Sequence, residues 1–320
     1  MIKLYSKETP LAAVEAMKRA GRFPHAFLLT GERGAGKKVF ADHIAMTLLC
    51  ENGNACGECR HCRRILSGTH PDVIKPEKSG KKQIYNRETI REICSDAFVA
   101  PNDCDEKVYI FTDCESIEEN TQNLMLKLIE EPPDTAYFIF TAVSGSVFLP
   151  TILSRVVTIG IPEANEQDCA AALADTGMYS PEQVEDAVKR FHGNIGCCME
   201  YLSGGELAEN VELCRGIISS LADGNEYELL KTMHRIGDSR SRVRQVLGLA
   251  DKVIRDACMI RIGNIPLIGC DPEGAERLSG KISRRRAETI HEAIDLTSLR
   301  CMGNANVSAE TAAFVCAVMG

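Results

Sequence analysis

The sequence predicts an α/β domain built on a parallel sheet, followed by an all-α region. In the first half of the chain, short apolar and β-branched runs alternate with helical patterns, which is typical of a parallel sheet covered by helices. From Pro162 onward these runs stop and short helical patterns take over. The chain has 320 residues, and an ordinary domain needs roughly 100 to 200, so we expect more than one domain.

The first predicted element is a helix. Thr9 and Pro10 are residue types that cap and begin helices, and Gly21 is a type that ends them. The candidate strands that follow are 26–30, 72–75, 108–112, 137–142 and 156–161. The helical patterns between them lie at about 37–50, 86–99 and 116–131.

Turn residues divide the helical remainder. Thr176-Gly177 and Ser203-Gly204-Gly205 both interrupt the helical pattern. Beyond them, apolar residues from Val243 to Ala257 repeat at three- and four-residue steps, as on one face of an amphipathic helix. We therefore predict three domains with the bounds 1–161, 162–206 and 207–320.

Composition excludes several classes of protein. The chain is 44% hydrophobic and 26% charged, and it lacks the run of roughly 18 apolar residues that a membrane helix needs. The N-terminus has no secretory signal pattern, so we expect a cytoplasmic protein with no membrane partner, whose 15 cysteines are reduced. The net charge of −8 argues against a protein that coats nucleic acid.

A glycine-rich segment follows the first strand. Gly31, Gly34 and Gly36 precede Lys37 at the start of a helical pattern, where backbone N–H groups and the lysine could cradle phosphates. The strict motif continues with Ser or Thr, whose hydroxyl binds Mg²⁺, but Lys38 stands there. We expect a degenerate phosphate loop that binds ATP weakly or not at all. The alternative is a turn that only lets the strand and the helix pack closely.

Four cysteines lie close together in a turn-rich stretch. Cys50, Cys56, Cys59 and Cys62 have the spacing C-x5-C-x2-C-x2-C, which four thiolates can use to close a tetrahedral structural Zn²⁺ site. The alternative is chance clustering in a cysteine-rich chain. His61 lies inside this segment, and we expect it on the surface. Because no competing histidine pair is evident, we expect one Zn²⁺ per chain.

Together these motifs have a family resemblance. The ordered set HAFLLTGERGAGKK, the four cysteines, KVYIFTD, NLMLKLIEEPP and LPTILSR resembles the AAA+ clamp-loader subunits of bacterial DNA polymerase III over about residues 22–161. The resemblance implies an AAA+ P-loop domain with a zinc knuckle at 50–62, a small helical lid and a helical collar. It also implies a ring of five subunits, so that the partners are other clamp-loader subunits of the gamma/tau and delta types, the sliding clamp and primed DNA.

The resemblance assigns roles to the ends of two strands. Family spacing places Thr112 where a hydrolysing subunit has its metal-binding Asp, and Asp113 where it has its catalytic Glu. Lys38 and Thr112 thus replace two Mg²⁺ ligands, and Gly196 replaces an Arg that senses the nucleotide. Arg155, after Ser154, matches the family's arginine finger. No acidic residue adjoins Arg155 in the sequence, so we expect an unpaired guanidinium.

These departures favour a non-motor subunit of the delta-prime type, which supplies Arg155 in trans to a neighbour's ATP. On its own it would not be an ATPase, although it would belong to the DNA-directed DNA polymerase holoenzyme, a nucleotidyltransferase. One alternative is an ATP-hydrolysing subunit of the gamma/tau type. A remote alternative is a small-molecule kinase with a zinc lid, whose cysteines would come in two separated pairs.

Overall fold

The computed structural model describes residues 3–78, 84–263, 265–303 and 305–320. The chain forms two compact units, 1–164 and 165–320. The further boundary between 206 and 207 stays a prediction. Among the described residues, no helix is both long enough and apolar enough to cross a bilayer.

The first unit contains six helices and five strands among its described residues, and helices and strands alternate except that α3 follows α2 directly. Two short 3₁₀ turns, Cys114–Ser116 and Gly145–Val147, add to them. The elements are α1 (Glu8–Arg19), β1 (Ala26–Thr30), α2 (Lys37–Leu49), α3 (Arg60–Leu66), β2 (Val73–Ile74), α4 (Arg87–Asp96), β3 (Lys107–Phe111), α5 (Glu119–Glu130), β4 (Ala136–Ala142), α6 (Pro150–Leu153) and β5 (Val157–Gly160).

The five strands form one parallel sheet in the order β2-β3-β4-β1-β5. All five candidate strands are confirmed, with shifts of at most one residue at their ends. The strands β1, β3 and β4 are almost wholly buried, which explains why they are continuous apolar runs rather than alternating ones. Because the strands are parallel, the loops that follow β1, β3 and β4 lie at the same edge of the sheet.

Each face of the sheet carries its own core. On one face, aromatic residues from Tyr109 to Phe148 pack with α4 and α5. On the other face, α2 and α3 cover the sheet with side chains that include Phe40 and Ile44. Cys50 and Cys62 belong to this second core, so the four-cysteine segment is anchored to the body of the domain.

The N-terminal helix begins one residue earlier than its predicted cap. The N–H of Leu11 donates to the carbonyl of Lys7 at 2.9 Å, so Lys7 is the N-cap and Thr9 lies inside the first turn. The prediction of Thr9 as the N-cap was wrong, because the first backbone hydrogen bond of the helix is accepted by the Lys7 carbonyl, before Thr9. Pro10 is tolerated there because the first-turn N–H groups have no helical partner.

The second unit is all α, as predicted. Its helices from residue 206 onward share one continuous core that runs from Val211 to Val318. The predicted apolar stripe of Val243 to Ala257 is buried along one face of the longest helix. The helices are α7 (Glu166–Ala174), α8 (Pro181–Phe191), α9 (Ile195–Leu202), α10 (Glu206–Asp223), α11 (Glu226–Ile236), α12 (Arg240–Met259), α13 (Pro272–Ser279), α14 (Arg284–Met302) and α15 (Val307–Met319).

Candidate functional site

The glycine-rich loop joins β1 to α2 with the backbone that only glycine adopts easily. Gly34 and Gly36 have φ angles of 83° and 90°, in the left-handed region. At Gly31, a Cβ atom would lie 2.3 Å from the carbonyl oxygen of Ile161. Helix α2 begins at Lys37, directly after the loop, so its free N–H groups and dipole point into the loop.

Lys37 is turned inward to the loop itself. Its side chain is buried, at 5% exposure, and Nζ donates to the carbonyl oxygens of Gly31 at 2.6 Å and Glu32 at 2.9 Å. Burial lowers the pKa of Lys37, while the carboxylates of Glu115 and Asp113 act in the opposite direction. The ammonium therefore bonds to its own loop in this conformation, and it must exchange these carbonyls for phosphate oxygens to bind a nucleotide.

Lys38, at the position of a Mg²⁺ ligand, and Asp113, at the position of the catalytic Glu, form an ion pair. The distance from Lys38 Nζ to Asp113 Oδ2 is 2.6 Å. Asp113 lies in the left-handed region at φ 49°, where its N–H donates to Thr141 Oγ1 at 2.8 Å and its carbonyl accepts from Lys78 Nζ at 2.7 Å. An ammonium thus pairs with the carboxylate that family spacing equates with a catalytic group.

The neighbouring residues at this edge also have fixed partners. The Tyr85 hydroxyl accepts from the Thr112 N–H at 2.7 Å and donates to the Thr112 carbonyl at 2.9 Å. Burial raises the pKa of Tyr85 to about 12, so the phenol remains a donor at neutral pH. Glu115 Oε1 accepts from the N–H of Val143 at 2.9 Å, which joins the turn after β3 to the end of β4.

The four cysteines meet as a candidate metal centre. Their sulfur atoms lie within 4.8 Å of one another, and Cys50 Sγ is 3.6 Å from Cys56 Sγ and 4.0 Å from Cys59 Sγ. Four thiolates around a tetrahedral ion with bonds of about 2.3 Å are separated by about 3.8 Å. The cluster Cys50, Cys56, Cys59 and Cys62 could therefore hold a metal ion.

Backbone amides favour the thiolate form of Cys50 and Cys56 in this cluster, whereas burial raises the pKa of Cys62. The N–H groups of Glu58 and Cys59 donate to Cys56 Sγ at 3.4 and 3.3 Å, and the N–H of Cys62 donates to Cys59 Sγ at 3.4 Å. Burial opposes ionisation of Cys50, but hydrogen bonds from backbone amides outweigh it and lower the pKa of Cys50 to about 6. Metals bind thiolates rather than thiols, so these donors fit a metal ligand set.

His61 is not the surface residue that we expected from the sequence. Its side chain is only 12% exposed, and Nδ1 lies 2.9 Å from Nε2 of His70. The expectation of no histidine pair was also wrong. His61 is in the first turn of α3 but His70 follows that helix, and only the fold brings the two rings together.

Arg155 follows α6 at the approach to β5, and its guanidinium has a partner. Nη2 lies 3.0 Å from Glu130 Oε1, and Nη1 donates to the Thr151 carbonyl at 2.8 Å and to Ser154 Oγ at 3.0 Å. The expectation of an unpaired arginine was wrong, because α5 ends with Glu130 beside it. The Arg155 side chain is still 40% exposed, so the guanidinium remains accessible.

Three features define an AAA+ P-loop domain: β1 is an inner strand, the glycine loop follows it, and the strands of the sheet are parallel. Residues 7–165, about half of the chain, match the family model described as DNA polymerase III, delta subunit, and the chain belongs to this family.

Known relatives agree with this family. DNA polymerase III subunit delta' of Pseudomonas aeruginosa is 34% identical over 170 residues, which are 52% of this chain and 50% of that protein. The Escherichia coli subunit delta' is 26% identical over 82% of this chain and 80% of its own length. Subunit gamma/tau of Mycoplasma pneumoniae is 35% identical over 42% of this chain and 20% of its own. The match thus spans about half the length of the Pseudomonas relative.

The first testable expectation concerns the four-cysteine centre. Cys59→Ser should remove one equivalent of bound metal and lower the free energy of unfolding by roughly 3 kcal/mol or more, because an ion bound to the four thiolates would close the segment onto α2 and α3. Elemental analysis and thermal melting of the purified chain measure both. The matched control is Cys94→Ser, a half-buried cysteine outside the cluster, which should keep the metal. An unchanged metal content in Cys59→Ser would contradict the assignment.

Proposed function

We propose that this chain is a non-motor subunit, of the delta-prime type, of the DNA polymerase III clamp loader, which helps to load the sliding clamp on primed DNA. The observation that carries this proposal is the Lys38–Asp113 ion pair. Phosphoryl transfer needs Mg²⁺ between the β- and γ-phosphates and a group that orients the attacking water. Lys38 stands where a Mg²⁺ ligand is needed, so the protein does not hold the ion there. The carboxylate of Asp113 is paired with Lys38, so it is not available to orient the water.

Nucleotide binding is a separate matter from hydrolysis. The loop amides, the N-terminus of α2 and Lys37 are groups that suit phosphate oxygens. Opposing this, Lys37 has to leave two carbonyl oxygens of its own loop, and no serine or threonine hydroxyl follows it to hold Mg²⁺. We therefore expect weak ATP binding or none, and no turnover.

Arg155 is the group that this subunit would give to a neighbour. An arginine supplied in trans stabilises the charge that develops on the γ-phosphate in the transition state. Its pairing with Glu130 involves two half-exposed side chains, and such pairs contribute only about 0–1 kcal/mol. The guanidinium can therefore exchange Glu130 for a phosphate at little cost, which suits a residue that acts only in the assembled ring.

The remaining parts of the proposal concern the metal, the partners and the location. Four thiolates with no open position suit a structural Zn²⁺ at Cys50, Cys56, Cys59 and Cys62. Other clamp-loader subunits, the sliding clamp and primed DNA would be the partners, since the relatives are DNA polymerase III subunits delta' and gamma/tau. Replication takes place in the bacterial cytoplasm, so we place the chain there.

The purified chain is expected to hydrolyse no ATP above the buffer rate, because the protein has lost its hold on Mg²⁺. A phosphate-release assay with Mg²⁺ and DNA present measures this. Lys37→Ala is the matched control, since it removes the lysine that any active loop requires, and it should change nothing. Turnover that Lys37→Ala abolishes would overturn the proposal and favour a motor subunit of the gamma/tau type.

The role of Arg155 is tested in the reconstituted loader. Arg155→Ala should leave folding and ring assembly intact and lower both the DNA-stimulated ATPase and clamp loading. In the best-studied GTPases a trans arginine is worth roughly 10³ to 10⁵ in rate, but only the one site that this subunit faces loses it. We therefore expect a partial loss of ATP turnover and a larger loss of loading.

The control for this experiment is Arg22→Ala, because Arg22 is an exposed arginine elsewhere in the same unit. It should load clamps at the wild-type rate. If Arg155→Ala does so too, Arg155 is not a finger.

A further inference from the structure

Three side chains next to the four-cysteine centre form a second cluster of metal-binding atoms. His61 Nδ1 lies 2.9 Å from His70 Nε2, and Cys104 Sγ lies 3.2 Å from His61 Nδ1 and 3.7 Å from His70 Nε2. Around a tetrahedral ion with Zn–N bonds near 2.0 Å and Zn–S bonds near 2.3 Å, such atoms are about 3.3 to 3.6 Å apart. The three distances lie close to this range, so the three atoms could bind one ion together.

We propose that His61, His70 and Cys104 form a second metal site, which binds a divalent ion of the zinc type through two imidazole nitrogens and one thiolate. The donor set is of the kind that zinc accepts, and three protein ligands leave the fourth position to water. This distinguishes the site from the closed four-cysteine centre. The site does not depend on the clamp-loader role.

The surroundings hold the three ligands in place. His70 is buried, at 4% exposure, and two residues later the buried carboxylate of Asp72 accepts from the N–H groups of Asn102, Asp103 and Cys104 at 2.6, 2.7 and 3.1 Å. One carboxylate thus fixes the loop of Cys104 against the turn of His70. Preorganisation of this kind lowers the conformational-entropy cost of binding a metal ion.

His61 joins the cluster from helix α3. Arg60 and Arg64 of the same helix pair with the carboxylate of Asp103, next to Cys104 in the chain. The other ring nitrogen of His61, Nε2, is 3.5 Å from Glu51 Oε1. A histidine that binds a metal through Nδ1 keeps its proton on Nε2, and a carboxylate is the usual acceptor for that proton.

One contact must change when the ion binds. The N–H of Asp72 donates to Nδ1 of His70 at 3.1 Å, so without metal the His70 proton resides on Nε2 and points to His61. A neutral His70 that binds through Nε2 carries its proton on Nδ1, which requires the Asp72 amide to give up this bond. The competing arrangement is a hydrogen-bonded chain without metal, and the two arrangements differ in metal stoichiometry.

The experiment counts metal ions on the full chain. The protein is incubated with excess Zn²⁺, desalted and analysed for zinc per chain. We expect two ions in the wild type and one in Cys104→Ser and in His70→Gln. Cys59→Ser should lose the other ion and keep this one. The matched control, Cys94→Ser, should keep both, because Cys94 lies outside both clusters.

Cobalt as the probe identifies the ligands. With Co²⁺ in place of Zn²⁺, the absorption lost in Cys104→Ser should be that of a tetrahedral site with one thiolate, and the spectrum of the four-cysteine centre should remain. One ion per chain in folded wild type, unchanged in Cys104→Ser and His70→Gln, would overturn the proposal. If either variant fails to fold, titration of the wild type decides: a second Co²⁺ equivalent with its own absorption supports the site, and saturation at one equivalent refutes it.

Discussion

The parallel pairing of β4 with both β1 and β3 is the constraint on which the candidate site depends. Thr30 pairs with Ala142, and Phe111 pairs with Phe140, so the loops after these strands leave the sheet at one edge. Two consecutive lysines at the start of α2 therefore face the turn that follows β3. The inferences about phosphate and Mg²⁺ rest on this meeting of two loops, because Lys38 belongs to one of them and Asp113 to the other.

Much of the fold could be predicted because its signals are local. The strands are continuous apolar runs since parallel strands are buried on both faces, and Gly34 and Gly36 have the positive φ angles of a tight turn. The cysteine spacing also predicts its own geometry, because three of the four ligands lie within one turn and the start of α3. Each of these features is set by residues close together in the chain, so the sequence pattern suffices to find it.

Side-chain pairing across the fold could not be predicted in this way. Glu130 meets Arg155, Lys38 meets Asp113, and Cys104 meets two histidines, although all of these partners lie far apart in the sequence. The chain has 45 acidic residues, and charge alone does not determine which of them pairs with a given cation. The positions at which helices and strands end determine the partner. A histidine or an arginine that adjoins a known motif is therefore the kind of residue whose surroundings only the structure supplies.

Three cations of the first unit differ in their surroundings, and this difference supports the proposed role of the chain. Lys38 and Asp113 form an ion pair at the edge of the sheet, but their side chains are 58% and 44% exposed, so solvent screens this pair. Lys37 is bonded to its own loop. Arg155 is also held by surface contacts that solvent screens. Lys37 is the buried cation among these three, whereas the proposed role of Arg155 requires only that a neighbouring phosphate replaces exposed partners.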